Sequence, residues 1–284
     1  MRRAGDDMGR RDGGKGREYM ILAAFGLLCA LAGVIIGLLV SPGGHKTVET
    51  AATIAPKETA APVTVSDLAE KWAGSVAEVV ADYPAGRRNQ TTEEGNGSGV
   101  YISGHGFFMT NYHVIEEAVS LRVRLIDGRE LPVMDSAYDR TYDVAVLYTG
   151  PVEGLEAVEK GNSDALRVGD PVVAVGYPRV GNDVLPGTLT TGVISGLNRL
   201  NVTAGNISPD VGMLQIDAAI NAGNSGGALF GADGKLVGIP TMKIASGYRG
   251  ESFEGLAFAI PVNTAWPIAV RLMDEMTAKN VGEP

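Results

Sequence analysis

Short apolar runs recur along most of the chain, separated by turn residues. From residue 99 they are Gly99–Ser103, Phe107–Thr110, Leu121–Ile126, Val144–Tyr148, Pro171–Val175, Gly192–Ile194, Met213–Ile216, Lys235–Ile239 and Gly255–Ile260. Runs this short, punctuated by glycine and polar clusters, predict strands of an all-β sandwich or barrel. Ser75–Tyr83 alternates Ala77, Val79, Ala81 and Tyr83 with Glu78 and Asp82, which predicts one more strand. Pro84–Gly97 is polar and reads as a loop. Helical spacing occurs in only two places. Val65–Trp72 forms a short amphipathic pattern capped by Thr64 or Ser66, and Val262–Ala278 repeats apolar residues at Trp266, Ile268, Ala269, Leu272, Met273 and Met276.

Two N-terminal segments break this rhythm. Tyr19–Val40 is 22 residues without a charge, enough to cross about 30 Å of hydrocarbon as a helix. A cleaved signal peptide has a shorter apolar region and a small-x-small cleavage site. Here Leu-Val-Ser-Pro-Gly closes the run, and Cys29 lies in its middle. The segment therefore reads as an uncleaved anchor. Basic residues in segment 1–18 (Arg2, Arg3, Arg10, Arg11, Lys15, Arg17) orient the N-terminus to the cytoplasm. Residues 41–62 are rich in Thr, Ala, Pro and Gly and read as a flexible linker. Residues 63–284 form the folded part, outside the membrane.

Composition narrows the functional classes. Glycine is frequent (39 residues) and aromatics are few (6%), in keeping with turns and short strands. One cysteine excludes an intrachain disulfide. From Val63 onward there are 16 basic and 27 acidic residues, and an acidic body without a basic cluster argues against nucleic-acid binding. His105 and His113 lack Cys, Asp or Glu partners at ligand spacing, so neither a metal nor another cofactor is expected.

The chemistry concentrates in three segments. They are Gly97-Ser-Gly-Val-Tyr-Ile-Ser leading to Thr110-Asn-Tyr-His113-Val, then Tyr142-Asp143-Val-Ala-Val-Leu, then Asp217-Ala-Ala-Ile-Asn-Ala-Gly223-Asn-Ser225-Gly-Gly. A serine hydroxyl is a weak nucleophile and needs a neighbouring base, usually histidine, itself oriented by a buried carboxylate. Of the three histidines, His45 is in the linker and His105 sits between two glycines. His113, at the end of one apolar run and the start of another, is the candidate base. Ser225 lies among glycines, which let a backbone turn approach a substrate carbonyl and present amides to a developing oxyanion. Gly223, Asn224 and Ser225 are the candidate oxyanion residues. Asp143 and Asp139 compete for the acid. Asp143 directly precedes an apolar strand and is the stronger candidate, whereas Asp139 is placed to pair with Arg140.

Together these segments resemble the trypsin-like serine proteases, and among them the HtrA/Deg family. Thr-Asn-x-His-Val, Asp-x-Ala-Val-Leu and Asn-x-Gly-Asn-Ser-Gly-Gly occur in the order His, Asp, Ser. Gly161–Asp170, Ala174–Pro178, Thr191–Gly196 and Leu256–Pro261 also look like the family's, so the resemblance spans roughly residues 63–280. It implies two six-stranded antiparallel β-barrels, about 75–160 and 170–262, with a triad of His113, Asp143 and Ser225 in the cleft between them. It also implies endopeptidase activity on unfolded or misassembled polypeptides of the bacterial envelope, and a homotrimer. Basic-specific relatives carry an acid six residues before the nucleophile. Here that residue is Ala219, which with Ile220, Thr241 and Met242 implies a small apolar pocket, and Lys243 is expected to face solvent. Only 23 residues follow Pro261, too few for the peptide-binding PDZ domains common in the family. Asn198–Gly212 stands where the family has an activation loop. The alternative to an active peptidase is a catalytically latent binding or chaperone-like module on the same fold.

Overall fold

The computed structural model describes residues 64–84, 92–181, 183–202, 208, 210–243 and 255–281. The expected anchor, linker and cytoplasmic segment lie outside these residues. Among the described residues no helix is long and apolar enough to cross a membrane.

The apolar runs fold as strands, with several additions. The N-terminal sheet contains β1 (Val76–Pro84), β2 (Thr92–Ser103), β3 (Phe107–Thr110), β4 (Ser120–Arg124), β5 (Glu130–Pro132), β6 (Asp135–Asp139) and β7 (Val144–Tyr148). Its order is β5-β4-β1-β2-β3-β7-β6, all antiparallel. This corrects the expected closed six-stranded barrel. β5 and β6 are successive parts of one segment that runs from one sheet edge to the other. Pro132 has no amide to continue the ladder. Beyond it, Val133 donates to the Leu121 carbonyl and Met134 to the Tyr148 carbonyl, at 3.2 and 2.8 Å. The sheet curls until its edges share this segment, but the ladder itself is interrupted.

The C-terminal half matches the expectation of a closed six-stranded barrel. It is built from β8 (Pro171–Gly176), β11 (Thr188–Arg199), β12 (Met213–Ile216), β13 (Ala228–Gly231), β14 (Leu236–Lys243) and β15 (Ala257–Pro261), in the order β11-β12-β15-β14-β13-β8. β9 (Arg179–Val180) and β10 (Asp183–Val184) form a small hairpin after β8.

Why the runs are uniformly apolar follows from which core each face meets. In the N-terminal sheet Ala77, Val79, Tyr101, Phe108, Ala145 and Leu147 fill the interior. Their neighbours Val76, Val100, Met109 and Val146 face a second cluster, which they share with Val173, Val175, Phe230, Ile239, Phe258 and Ile260 of the barrel. Strands buried on both faces lose the polar alternation that would mark them. The same shared cluster receives Leu68 and Trp72 of α1 (Val65–Trp72) and Ala265, Ala269, Leu272 and Met276 of the C-terminal helix. The sequence pattern left two caps open for α1, and Thr64 takes the role. Its hydroxyl accepts from the Asp67 amide at 3.1 Å, while Asp67 accepts from the Thr64 amide at 2.8 Å, a reciprocal capping box.

Candidate active site

His113 does not join two strands, as its flanking apolar residues suggest, but sits on α2, the single helical turn Tyr112–Ile115. Asp143 lies on the turn before β7 with φ of 54°. Asparagine and aspartate tolerate this left-handed conformation better than other non-glycine residues. The turn buries the Asp143 carboxylate, which is 1% exposed, directly under α2. Oδ1 accepts the His113 backbone amide and Oδ2 accepts from the ring at Nδ1, both at 2.8 Å. The Asp143 carbonyl in turn accepts from Asn111 Nδ2 at 3.0 Å and from the Tyr112 amide at 3.2 Å. A carboxylate at Nδ1 puts the proton on that nitrogen and leaves Nε2 as an acceptor. The competing Asp139 is elsewhere engaged. It pairs with Arg271 at 2.7 Å, on α3 (Val262–Val281), while Arg140 pairs with Glu116 at 2.9 Å.

Thr241 links this pair to the nucleophile turn. Its side chain is buried and donates to Asp143 Oδ2 at 2.7 Å. Its carbonyl accepts from Ser225 Oγ at 3.0 Å. Among the described hydrogen bonds none joins Ser225 to His113, so the serine hydroxyl rests on Thr241.

The turn around Ser225 demands glycine at two places. At Gly223, with φ of 94°, a Cβ would lie 2.3 Å from the Tyr177 carbonyl oxygen, and at Gly226, with φ of 84°, it would lie 2.3 Å from the Ser98 carbonyl oxygen. The amide of Asn224 donates to the Asn221 carbonyl at 3.0 Å, and that of Gly226 to Pro240 at 2.9 Å. The amides of Gly223 and Ser225 donate to no acceptor among the described residues. Of the three candidate oxyanion residues, then, Gly223 and Ser225 offer unused donors and Asn224 does not.

Beside the turn, a cavity of about 350 Å³ is lined by Asp217–Asn221 and Gly255–Ala257. Ala219 is exposed along it, while Ile220 is buried with its side chain in the barrel core. Thr241, expected in this pocket, instead spends its hydroxyl on Asp143. The side chains of Met242 and Lys243 lie outside the described residues. Of the candidate activation loop, the Ser208 amide donates to the Thr141 carbonyl at 3.0 Å, two residues from Asp143. Sequence reasoning missed two partners, Thr241 and Asn111. Asn111 stands inside the Thr-Asn-Tyr-His motif, but Thr241 has no local signal at all.

Residues 97–239 match the model of the trypsin-like peptidase domain. The chain belongs to the trypsin-like peptidase family. Among curated relatives, it is 41% identical over 193 residues to the serine protease Do-like HtrA of Bacillus subtilis, covering 66% of this chain and 41% of that protein. It is 38% identical over 261 residues to the serine protease PepD of Mycobacterium tuberculosis, covering 85% and 54%. Among solved structures, the HtrA-type protease AlgW with tripeptide superposes with a TM-score of 0.60 at 34% identity, covering 72% of this chain and 62% of that one. This member of the trypsin-like peptidase family is thus similar to serine proteases of the HtrA type, and it spans about half the length of these two curated relatives.

Proposed function

We propose that the chain is a serine endopeptidase in which Ser225 is the nucleophile, His113 the general base and Asp143 the orienting acid. The observation that carries this reading is the two-point hold of Asp143 on His113, through amide and ring at 2.8 Å each. It fixes the tautomer in which Nε2 takes the Ser225 proton. Ser225 Oγ then attacks the scissile carbonyl carbon, and the tetrahedral oxyanion receives the amides of Gly223 and Ser225. Collapse expels the amine, which takes the proton from His113, and leaves an acyl ester on Ser225. Water, deprotonated by His113, hydrolyses that ester. Removing one oxyanion donor from such a site costs about 2.7–4 kcal/mol, which is why unused amides at this turn favour catalysis over a structural role.

Polypeptides are the substrates in this reading. The cavity flanked by Ala219 suits a small apolar side chain, with Asp217 the charged residue in its lining. Discrimination should be loose, because one methylene of misfit is worth about 1–3 kcal/mol. The 22 uncharged residues of Tyr19–Val40, preceded by basic residues, support a single-pass inner-membrane anchor with the peptidase outside the cytoplasm. There it would act on unfolded or misassembled envelope proteins, as a homotrimer.

One observation favours a latent form as the resting state, since Ser225 Oγ rests on the Thr241 carbonyl rather than on His113. Catalytic hydrogen bonds often tighten only when substrate is bound. Reaction of the full chain with a fluorophosphonate probe, alongside cleavage of an unfolded protein, separates the two states. Labelling at Ser225 and cleavage are expected, and Ser225→Ala should abolish both, with a loss on the order of 10⁶-fold in kcat. Equal cleavage by Ser225→Ala would overturn the assignment. Folded parent protein that neither labels nor cleaves would favour the binding module.

A further inference from the structure

The N-terminal half of β2 reads as a polar loop in the sequence, yet it is a strand. Its polarity has a use. Residues two apart on a strand share a face, and Glu94, Asn96 and Ser98 all reach the C-terminal barrel. Glu94 pairs with Arg179 at 3.3 Å, and Asn96 Nδ2 donates to the Tyr177 carbonyl at 3.0 Å. Ser98, fully buried, does more than either. Its hydroxyl donates to the Gly223 carbonyl at 2.6 Å and accepts from the Tyr177 amide at 2.9 Å. Its own amide donates to the Ser225 carbonyl at 2.8 Å.

The flanking glycines explain how Ser98 gets so close. On the opposite face of the strand, a Cβ at Gly97 would lie 2.5 Å from Val114 Cγ1, and one at Gly99 would lie 3.0 Å from Val79 Cγ2. Without side chains there, β2 lies flush on the N-terminal core and Ser98 presses against the nucleophile turn.

That turn is held largely from outside, and of its own side chains Ser225 bonds the Thr241 carbonyl. Asn224 is buried, but its Oδ1 has no hydrogen-bond partner. The peptide that carries the Gly223 amide is pinned at the Ala222 carbonyl by the Arg179 amide at 2.9 Å. The next peptide is pinned at the Gly223 carbonyl by Ser98 Oγ. Gly223 sits between these two peptides with φ of 94°, so these outside bonds, together with the bond from the Asn224 amide to the Asn221 carbonyl, set where its amide points.

We propose that Ser98 is a positioning residue that latches the oxyanion turn of the C-terminal barrel to the N-terminal sheet. This rests on the peptidase reading above. Its hydroxyl touches no substrate; it holds the Gly223 carbonyl so that the Gly223 amide stays aimed at the oxyanion.

The test uses the full chain and compares Ser98→Ala with the parent and with Ser75→Ala. Ser75 is a buried serine whose hydroxyl bonds the Glu156 carbonyl and no residue of the turn. Ser98→Ala should lower kcat about 10- to 100-fold, the scale of a small misplacement at a reacting centre, with KM nearly unchanged. Affinity for a peptide boronate, whose tetrahedral adduct needs the oxyanion donors, should fall in parallel. Ser75→Ala should lower the melting temperature with kcat unchanged. If Ser98→Ala does not fold, Ser98→Cys decides, because a thiol fills the site but donates weakly; it should show a smaller fall in kcat at an intact melting temperature. A folded Ser98→Ala or Ser98→Cys with parental kcat and boronate affinity overturns the latch while leaving the peptidase intact. A folded parent that neither cleaves nor labels at Ser225 overturns the peptidase reading, and the latch with it.

Discussion

At the scale of single residues, Asp143 combines two demands that few side chains meet together. In the proposed triad it orients His113 through its carboxylate, and its backbone sits at φ of 54°. The two demands separate on mutation. Asp143→Asn keeps a side chain that tolerates the left-handed region but loses the charge and permits the wrong histidine tautomer. It should fold normally while kcat drops by about 10⁴-fold, the scale seen for this change in a Ser-His-Asp triad. Asp143→Ala should lose activity and also destabilise by about 1–2 kcal/mol more than Asp143→Asn, from backbone strain alone. Urea unfolding of the two variants checks this. Equal stabilities would show that the turn does not need an Asn- or Asp-like residue.

Among the elements, α1 shows how a short helix becomes part of the fold. Eight residues are too few to be stable alone, so α1 depends on its cap and its anchor. Trp72 is fully buried, stacks on Phe230 of β13 with centroids 6.0 Å apart, and donates its indole N–H to the Gly234 carbonyl at 2.7 Å. Thr64→Ala should cost about 1 kcal/mol, the usual worth of a cap. Trp72→Ala should cost about 3–5 kcal/mol, as for other large aromatic truncations. Denaturant titration followed by circular dichroism measures both, and similar small losses would mean that α1 contributes little to the fold. The cap and the amphipathic pattern were legible in the sequence because they act within one helical turn. Residues Gly234 and Phe230, which hold the helix, are far along the chain and leave no local trace.

Across the whole molecule, the seam between the two halves carries charge as well as apolar residues. On one face of β1 and β4, Glu78 is buried and pairs with Arg124 at 2.7 Å, and Arg124 also holds Glu130 at 2.8 Å. Burial pushes the Glu78 carboxyl above the usual carboxylate range, against the pull of Arg124; nearby Glu94 adds to the rise and Arg179 opposes it. The folded protein therefore holds this proton to a higher pH than the unfolded chain. Glu78's contribution to stability is fullest below the unfolded carboxylate pKa and declines as pH rises through the folded value. Glu78→Gln removes this decline and still leaves Arg124 paired with Glu130. As pH rises from about 4, near the ordinary glutamate pKa, the parent should lose stability relative to Glu78→Gln. Parallel pH profiles for the two proteins would sink the idea.

By itself the sequence determined the β class, the C-terminal helix and the order His113, Asp143, Ser225, because strand runs, helical spacing and glycine turns are local patterns. It could also weigh Asp143 over Asp139 from the apolar strand that follows. Only the tertiary structure decided what each residue bonds to. Thr241 meets Asp143 across 98 positions, and Ser98 meets Gly223 across 125. The interrupted ladder of the N-terminal sheet, and the strand hidden in the polar stretch before Gly97, were likewise set by pairing between distant segments. A polar residue facing a buried seam looks, in sequence, the same as one facing water. The partner that satisfies it is chosen by the packing of the N-terminal sheet on the barrel, and that packing has no signature in any short stretch of chain.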